Sequence, residues 1–353
     1  MTIEPLDYHA DERSDPVAPG RRGRHVVFDE RFPDPAAGMV LHRVLAMAAR
    51  TFLLNDPGAE FDGGVRHPAN VDALTIALGN RPLWAQSAVG SLKGTERRTD
   101  RLERVHQSRV AMRRIRSNLR TFRLLLDPGW GTNLRAELAW YGNELGRSRD
   151  LEILAGVIRD RGPDVLGHDE VARLLAVVDW RLDEVEAQTA AEQAGPRRLR
   201  LTEQMMVLWE GPEFKAKASR PATEVLPTML GRSWRDLRAA GRTARKDPSD
   251  LHLHQVRIRL KDLRYGSETL ALVEGGPARK TAKAAERLQS QLGDLHDTAF
   301  SIGWLEALAT EQADLADVAE RLAARQREVA AETRAGWGRG LKDVKRRWRR
   351  WQG

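Results

Sequence analysis

His106, Arg109, Arg113, Arg116, Arg120 and Arg123 follow one another at intervals of three and four residues. On a helix that spacing puts all six side chains within about 100° of arc, along roughly 25 Å of axis. Ala111, Met112, Ile115, Leu119, Phe122 and Leu126 take the neighbouring arc, so one face packs while the other presents cations. A merely solvated face is expected to mix signs, with Glu to Lys or Arg pairs at four-residue spacing, because like charges so placed repel. This stripe carries no acid and no nucleophile. The chemistry it suits is the binding of a row of anions. Each guanidinium offers a planar fork to phosphate oxygens, and the counterions released from the polymer make binding tight, length-favouring and salt-sensitive. The histidine is expected to hydrogen-bond phosphate oxygens and to bind more tightly when protonated near pH 6.

A shorter stripe of the same kind runs through His254, Arg257, Lys261 and Arg264, with Glu268 standing where Arg120 stands in the first. Aligning His106 on His254 also superposes Leu145-Gly146-Arg147-Ser148-Arg149-Asp150 on Leu292-Gly293-Asp294-Leu295-His296-Asp297. The interval from His to Asp is 44 residues in one copy and 43 in the other. Two motifs in the same order at nearly one distance imply an internal duplication.

The elements that must carry these stripes are helices. Apolar residues recur with helical period from Gly38 to the stop at Asn55-Asp56-Pro57-Gly58. Long amphipathic helices are expected over Arg101–Leu126, Asn133–Arg161, Asp169–Gln193, Thr223–Ala240, Leu251–Val273, Ala278–Thr310 and Gln312–Trp351. A short helix at Val71–Leu78 and another at Leu199–Trp209 are weaker readings. No segment alternates as a strand does. The expected fold is therefore all-α, with two antiparallel four-helix bundles related by a pseudo-twofold axis. Residues 1–36, rich in Pro and charge, form a disordered arm. Residues 37–194 form the first repeat with an insertion at 56–104, 195–222 a linker, and 223–353 the second repeat with a basic tail.

Composition bounds the function. The 353 residues include 58 Lys and Arg against 50 Asp and Glu, for a net charge of +8. Only nine of the 58 are Lys, leaving 49 Arg. The absence of cysteine excludes disulfides, thiolate nucleophiles and Cys-ligated zinc, and suits a reducing, cytoplasmic setting. No run approaches eighteen apolar residues and no leader opens the chain, so neither a membrane span nor a secretory signal is expected.

The stretch Val105-His106-Gln107-Ser108-Arg109-Val110-Ala111-Met112-Arg113-Arg114-Ile115-Arg116 with Leu119-Arg120-Thr121-Phe122-Arg123, its second-half counterpart Leu253-His254-Gln255-Val256-Arg257-Ile258-Arg259-Leu260-Lys261-Asp262-Leu263-Arg264-Tyr265, and the paired Leu-Gly-x-x-x-Asp turns resemble the CHAD family, the conserved histidine α-helical domain, from about residue 37 onward. The resemblance implies two four-helix bundles with a central basic groove that binds inorganic polyphosphate, often on polyphosphate granules, without catalysis. Carried over by position, the ligand residues are His106, Arg109, Arg113, Arg116, Arg120, Arg123, Arg149, His254, Arg257, Lys261 and Arg264. The insertion at 56–104, Glu268, and His296 standing opposite Arg149 depart from the family pattern. Many relatives carry a triphosphate-tunnel domain marked by Glu-x-Glu-x-Lys. That motif is absent here.

The alternative from another class is a nucleic-acid-binding protein using the same stripe and the basic tail, in which Leu341, Val344, Trp348 and Trp351 share a face. That tail also reads as a final bundle helix, or as a contact for an anionic membrane surface or polyphosphate. A phosphohydrolase would need clustered carboxylates for a metal, which neither repeat supplies, so no cofactor and no metal are expected. Asp150 and Asp297 are read as pairing with Arg in their own turns or capping a helix. His252-x-His254 points in divergent directions on a helix and is not read as a metal pair. Trp140, Trp180 and Trp234 are read as core. The protein partners are not specified by the sequence.

Overall fold

The computed structural model describes residues 34–62 and 94–352. Among them are nine α-helices and no strand: α1 (Ala37–Asn55), α2 (Gly94–Thr121), α3 (Pro128–Arg161), α4 (His168–Ala194), α5 (Pro196–Glu210), α6 (Ala222–Lys246), α7 (Asp250–Glu274), α8 (Gly276–Glu311) and α9 (Ala316–Gln352). The all-α expectation is met. Among the described residues four helices precede α5 and four follow it. The expected arm lies outside the described residues except for 34–36, as does the expected helix at 71–78. Residues 34–36 are held in place: Ala222 N donates to Pro35 O at 2.9 Å and Thr223 Oγ1 to Asp34 Oδ2 at 2.5 Å.

Among the helix ends that differ from the sequence reading, two lie at the same place. α2 stops at Thr121 instead of Leu126, and α3 begins at Pro128 instead of Asn133. Asp127-Pro128 is both a stop and a start: Pro fits the first helical position, where its missing N–H costs nothing. Asp127 Oδ1 accepts from Trp130 N at 2.8 Å, capping the helix. Between the helices Leu126 is extended and Lys215 N donates to Leu125 O at 2.9 Å. α6 runs on to Lys246, past Gly241, because that glycine is a close-packing point for Leu341 and no break.

The chain forms two compact units that do not follow the halves of the sequence. One comprises the described residues up to Leu145 with Ala190–Gly231 and Tyr265–Ala278. The other comprises Gly146–Thr189, Arg232–Arg264 and Arg279–Gly353. In the first, α1 packs on α2 and α5, and Leu41, Leu45, Phe52, Met112, Ile115, Leu119, Phe122 and Met205 form the core. By length and composition α1 alone among the described helices could cross a membrane, at a mean hydropathy of 1.3, yet 72% of that window is buried in the protein, as befits a core helix. The ends of the insertion are clasped. Arg104 donates to Asp56 O at 3.2 Å, while the buried Asp56 carboxylate accepts from Tyr141 Oη at 2.6 Å and from Arg198 at 3.3 Å. Burial, then the Asp56 charge, raises the Tyr141 hydroxyl well above its ordinary value.

In the second unit Leu154, Ile158, Leu174, Val178, Leu305 and Leu322 anchor the core. Trp180 is a correction to the sequence reading: it is 58% exposed with the Arg181 guanidinium over its ring. Trp234 is buried as expected, and Trp140 is half-buried beneath Arg197.

Candidate functional site

The first stripe lies in the first unit. His106, Arg109, Arg113, Arg116 and Arg120 are half-buried on α2, beside Ala111, Met112, Ile115 and Leu119, which are fully inside. This is the arrangement the phase of the sequence requires. Arg109 is fixed by donating to Leu145 O of α3 at 3.1 Å. Arg123 falls beyond the helix, on a 3-10 turn, exposed and donating back to Arg120 O at 3.1 Å. It continues the line of charge but not the helical face. Arg114, off the stripe, is buried. It pairs with Glu268 of α7 at 2.9 Å and lies over the Tyr265 ring. The acid that interrupts the second stripe therefore has a partner of its own.

The second stripe, in the second unit, is shorter than the sequence implied. His254, Arg257 and Lys261 are half-buried on α7. Arg264 does not join them: its side chain is 8% exposed and pairs with the half-buried Glu286 of α8 at 2.6 Å. Arg257 lies over α8 at Gly293, where a Cβ would come within 3.5 Å of its guanidinium. Arg109 and Arg257, which hold matching places in the two stripes, thus each rest on the Leu-Gly step of the motif that follows them.

The sequence reading left His296 out of the site, and the structure brings it in. Its ring lies 4.9 Å from that of His254. The signal was its place in the second Leu-Gly-x-x-x-Asp turn. Burial, then the charges of His296, Arg257 and Lys261, lower His254 to about 4. Burial with Arg257 and Lys261 lowers His296 as well. The expectation of a histidine charged near pH 6 is corrected for His254: burial first, and then the cations around it, keep the ring neutral in the unliganded chain.

Arg149 pairs with Glu152 at 3.1 Å, not with Asp150. Asp150 and Asp297, one from each motif copy, line a single cavity of about 200 Å³ with Ile153, His296, Ala299 and Phe300. Two carboxylates make that cavity a poor home for phosphate. Nearby, burial and then Asp297 raise the Asp294 carboxyl above its ordinary range. Among the described residues no three His, Asp or Glu side chains gather as a metal-ligand set. His252 turns to Asp247, at 2.9 Å.

Helical faces of Arg, Lys and His with apolar backs define a class of all-α protein built around cationic helix surfaces. The sequence profile of the CHAD domain matches residues 85–306, more than half of the chain, and the chain belongs to that family. Two solved structures share the fold. The crystal structure of the CHAD domain from the plant Ricinus communis matches with a TM-score of 0.62 at 19% identity, over 92% of this chain and 96% of that one. PptA from Streptomyces chartreusis matches with a TM-score of 0.57 at 20% identity, over 87% of this chain and 99% of that one. No curated protein matches.

Proposed function

We propose that the protein binds inorganic polyphosphate, without catalysis, through the cationic faces of α2 and α7. The single observation that carries this reading is the face of α2. It holds five basic or titratable side chains, from His106 to Arg120, at helical spacing with no acid among the stripe positions. Such a row matches a ligand that is itself a row of anions, and family membership supplies the polymer. His106, Arg109, Arg113, Arg116, Arg120 and Arg123 form the first set, and His254, Arg257 and Lys261 the second, with Arg149 in a lesser part. The matched seats of Arg109 and Arg257 on their Leu-Gly steps support reading the chain as a duplication of a four-helix unit. A cytoplasmic location on polyphosphate granules follows from the ligand.

The test compares long-chain polyphosphate binding by the wild type and by a variant with Arg109, Arg113 and Arg116 changed to Ala. Loss of three charge-assisted contacts lowers affinity by roughly tenfold or more and flattens the salt dependence. Unchanged affinity and slope would sink the proposal. Displacement of polyphosphate by single-stranded RNA or DNA at equal phosphate concentration would favour the nucleic-acid reading. Phosphate release assayed with magnesium or manganese stays at background if the protein only binds.

A further inference from the structure

Within the second unit α6 and α9 lie antiparallel. Trp234 stacks on Trp348, with centroids 5.2 Å apart and planes at 17°. A Cβ on Gly241 would come within 2.6 Å of Leu341. Residue numbers therefore rise along one helix as they fall along the other, and Leu237, Ala244 and Val344 are buried beside the seam. The basic tail is thus a packed helix whose Leu341, Val344 and Trp348 are spent on that contact.

What the seam leaves outside is cationic on both helices. Arg238, Arg242 and Arg245 recur on α6 at intervals of four and three, all exposed. Lys342, Lys345 and Arg349 recur on α9 at intervals of three and four, with Lys345 half-buried and the others exposed. The neighbouring acids are engaged elsewhere, Asp343 with Arg287, Arg346 and Arg347, and Asp236 with Arg259. The two rows are felt at one point: the charge of Arg349, then burial and the charges of Arg238 and Arg245 from the other helix, hold the Lys345 ammonium below its usual range. Like charges gathered this way repel one another, and an anion relieves them.

The patch also says what kind of anion. A reader of single-stranded nucleic acid offers aromatic faces on which bases stack, and a membrane-surface helix offers an exposed apolar stripe. Here Trp234 and Trp348 are buried, and the exposed residues between the α6 cations include Ala239 and Thr243. Trp351 is half-buried with its ring edge-on to Trp348, so what the patch exposes is chiefly charge, which suits a polymer that is phosphate alone. The geometry points to a second polyphosphate-binding surface on α6 and α9, so that one molecule holds two segments of polymer. This inference takes its ligand from the reading above, but none of its residues.

Calorimetry of the full chain with long-chain polyphosphate tests it, using a patch variant (R238Q, R242Q, R245Q, K345Q, R349Q), the α2 variant above and their combination. Circular dichroism checks folding, and a K345Q, R349Q pair gives a milder perturbation. The patch variant is expected to bind about half the polymer phosphate per protein, with a salt slope smaller by about 3. The α2 variant should keep a residual binding that the combination loses. A patch variant with wild-type stoichiometry, affinity and slope overturns the second surface and leaves the α2 and α7 reading standing. An α2 variant that binds normally beside a patch variant that binds nothing overturns the α2 site and upholds this one. A wild type that binds no polyphosphate ends both. Duplex DNA that displaces the residual binding of the α2 variant at equal phosphate concentration overturns the choice of ligand.

Discussion

His254 carries two opposed pH dependences that separate its part in stability from its part in binding. Its folded value is about 4, against about 6.5 for an unfolded histidine. Below the unfolded value the unfolded chain takes up a proton that the folded chain refuses, so stability present at pH 7 is lost as pH falls through that window. On the proposed reading, polyphosphate beside Arg257 and Lys261 would supply negative charge next to the ring, raise its pKa and couple binding to proton uptake. The unliganded protein should therefore melt lower at pH 5 than at pH 7, while its affinity for polyphosphate rises over the same interval. His254→Gln should reduce both trends. An affinity that is flat between pH 7 and 5 in the wild type would show that no phosphate sits near this ring. The same residue marks a limit of reading from sequence. Spacing placed His254 on the stripe, but its protonation is set by burial and then by the charge of His296, 42 residues away in α8, and a helical wheel holds no information about the neighbouring helix.

At the scale of elements, what the sequence made legible was what repeats within one helix, and what it hid was what one helix does to another. Periodicity located the helices from α1 to α9 because each has an apolar side to bury. It misplaced the end of α2 and the start of α3, since Asp127-Pro128 serves as stop and cap together, and it ended α6 at Ala240 where the helix runs on past Gly241, on which Leu341 packs closely. It put Arg264 among the ligands because the wheel cannot see Glu286. Glu268 is the sharpest case, since by position it is an acid in a cationic stripe and in three dimensions it is the counterion of the buried Arg114. Replacing Glu268 with Gln removes the carboxylate charge from that pair, at a cost of about 1–3 kcal/mol. The expected result is a lower midpoint in urea with polyphosphate affinity within about twofold of wild type, by the same reasoning that unpartnered buried charge acts on folding first. A gain in affinity well beyond that would mean the acid faces the polymer after all.

For the whole molecule, salt should act on binding and on folding to very different extents. The fold rests on apolar cores in both units, while the outer faces of α4, α8 and α9 carry exposed pairs such as Arg173 with Asp314 at 2.6 Å and Arg327 with Glu306 and Glu320 at 2.6 and 2.9 Å. Exposed pairs of this kind contribute about 0–1 kcal/mol each and are screened by salt, so raising salt from about 50 to 500 mM, where the screening length shortens severalfold, should move the melting temperature of the unliganded chain by only a few degrees. A bound polymer is different, since its contacts are charge on charge and its counterions return at high salt. Polyphosphate at about 100 times its dissociation constant stabilises the folded state by about 2.7 kcal/mol, a rise of several degrees for a chain of this size. Differential scanning fluorimetry with and without long-chain polyphosphate should show that rise at 50 mM salt and lose it by 500 mM, with the unliganded curve little changed. A shift that survives high salt would mean that the ligand is held by something other than the arginine rows, and would turn attention from the helix faces to enclosed sites such as the cavity between Asp150 and Asp297.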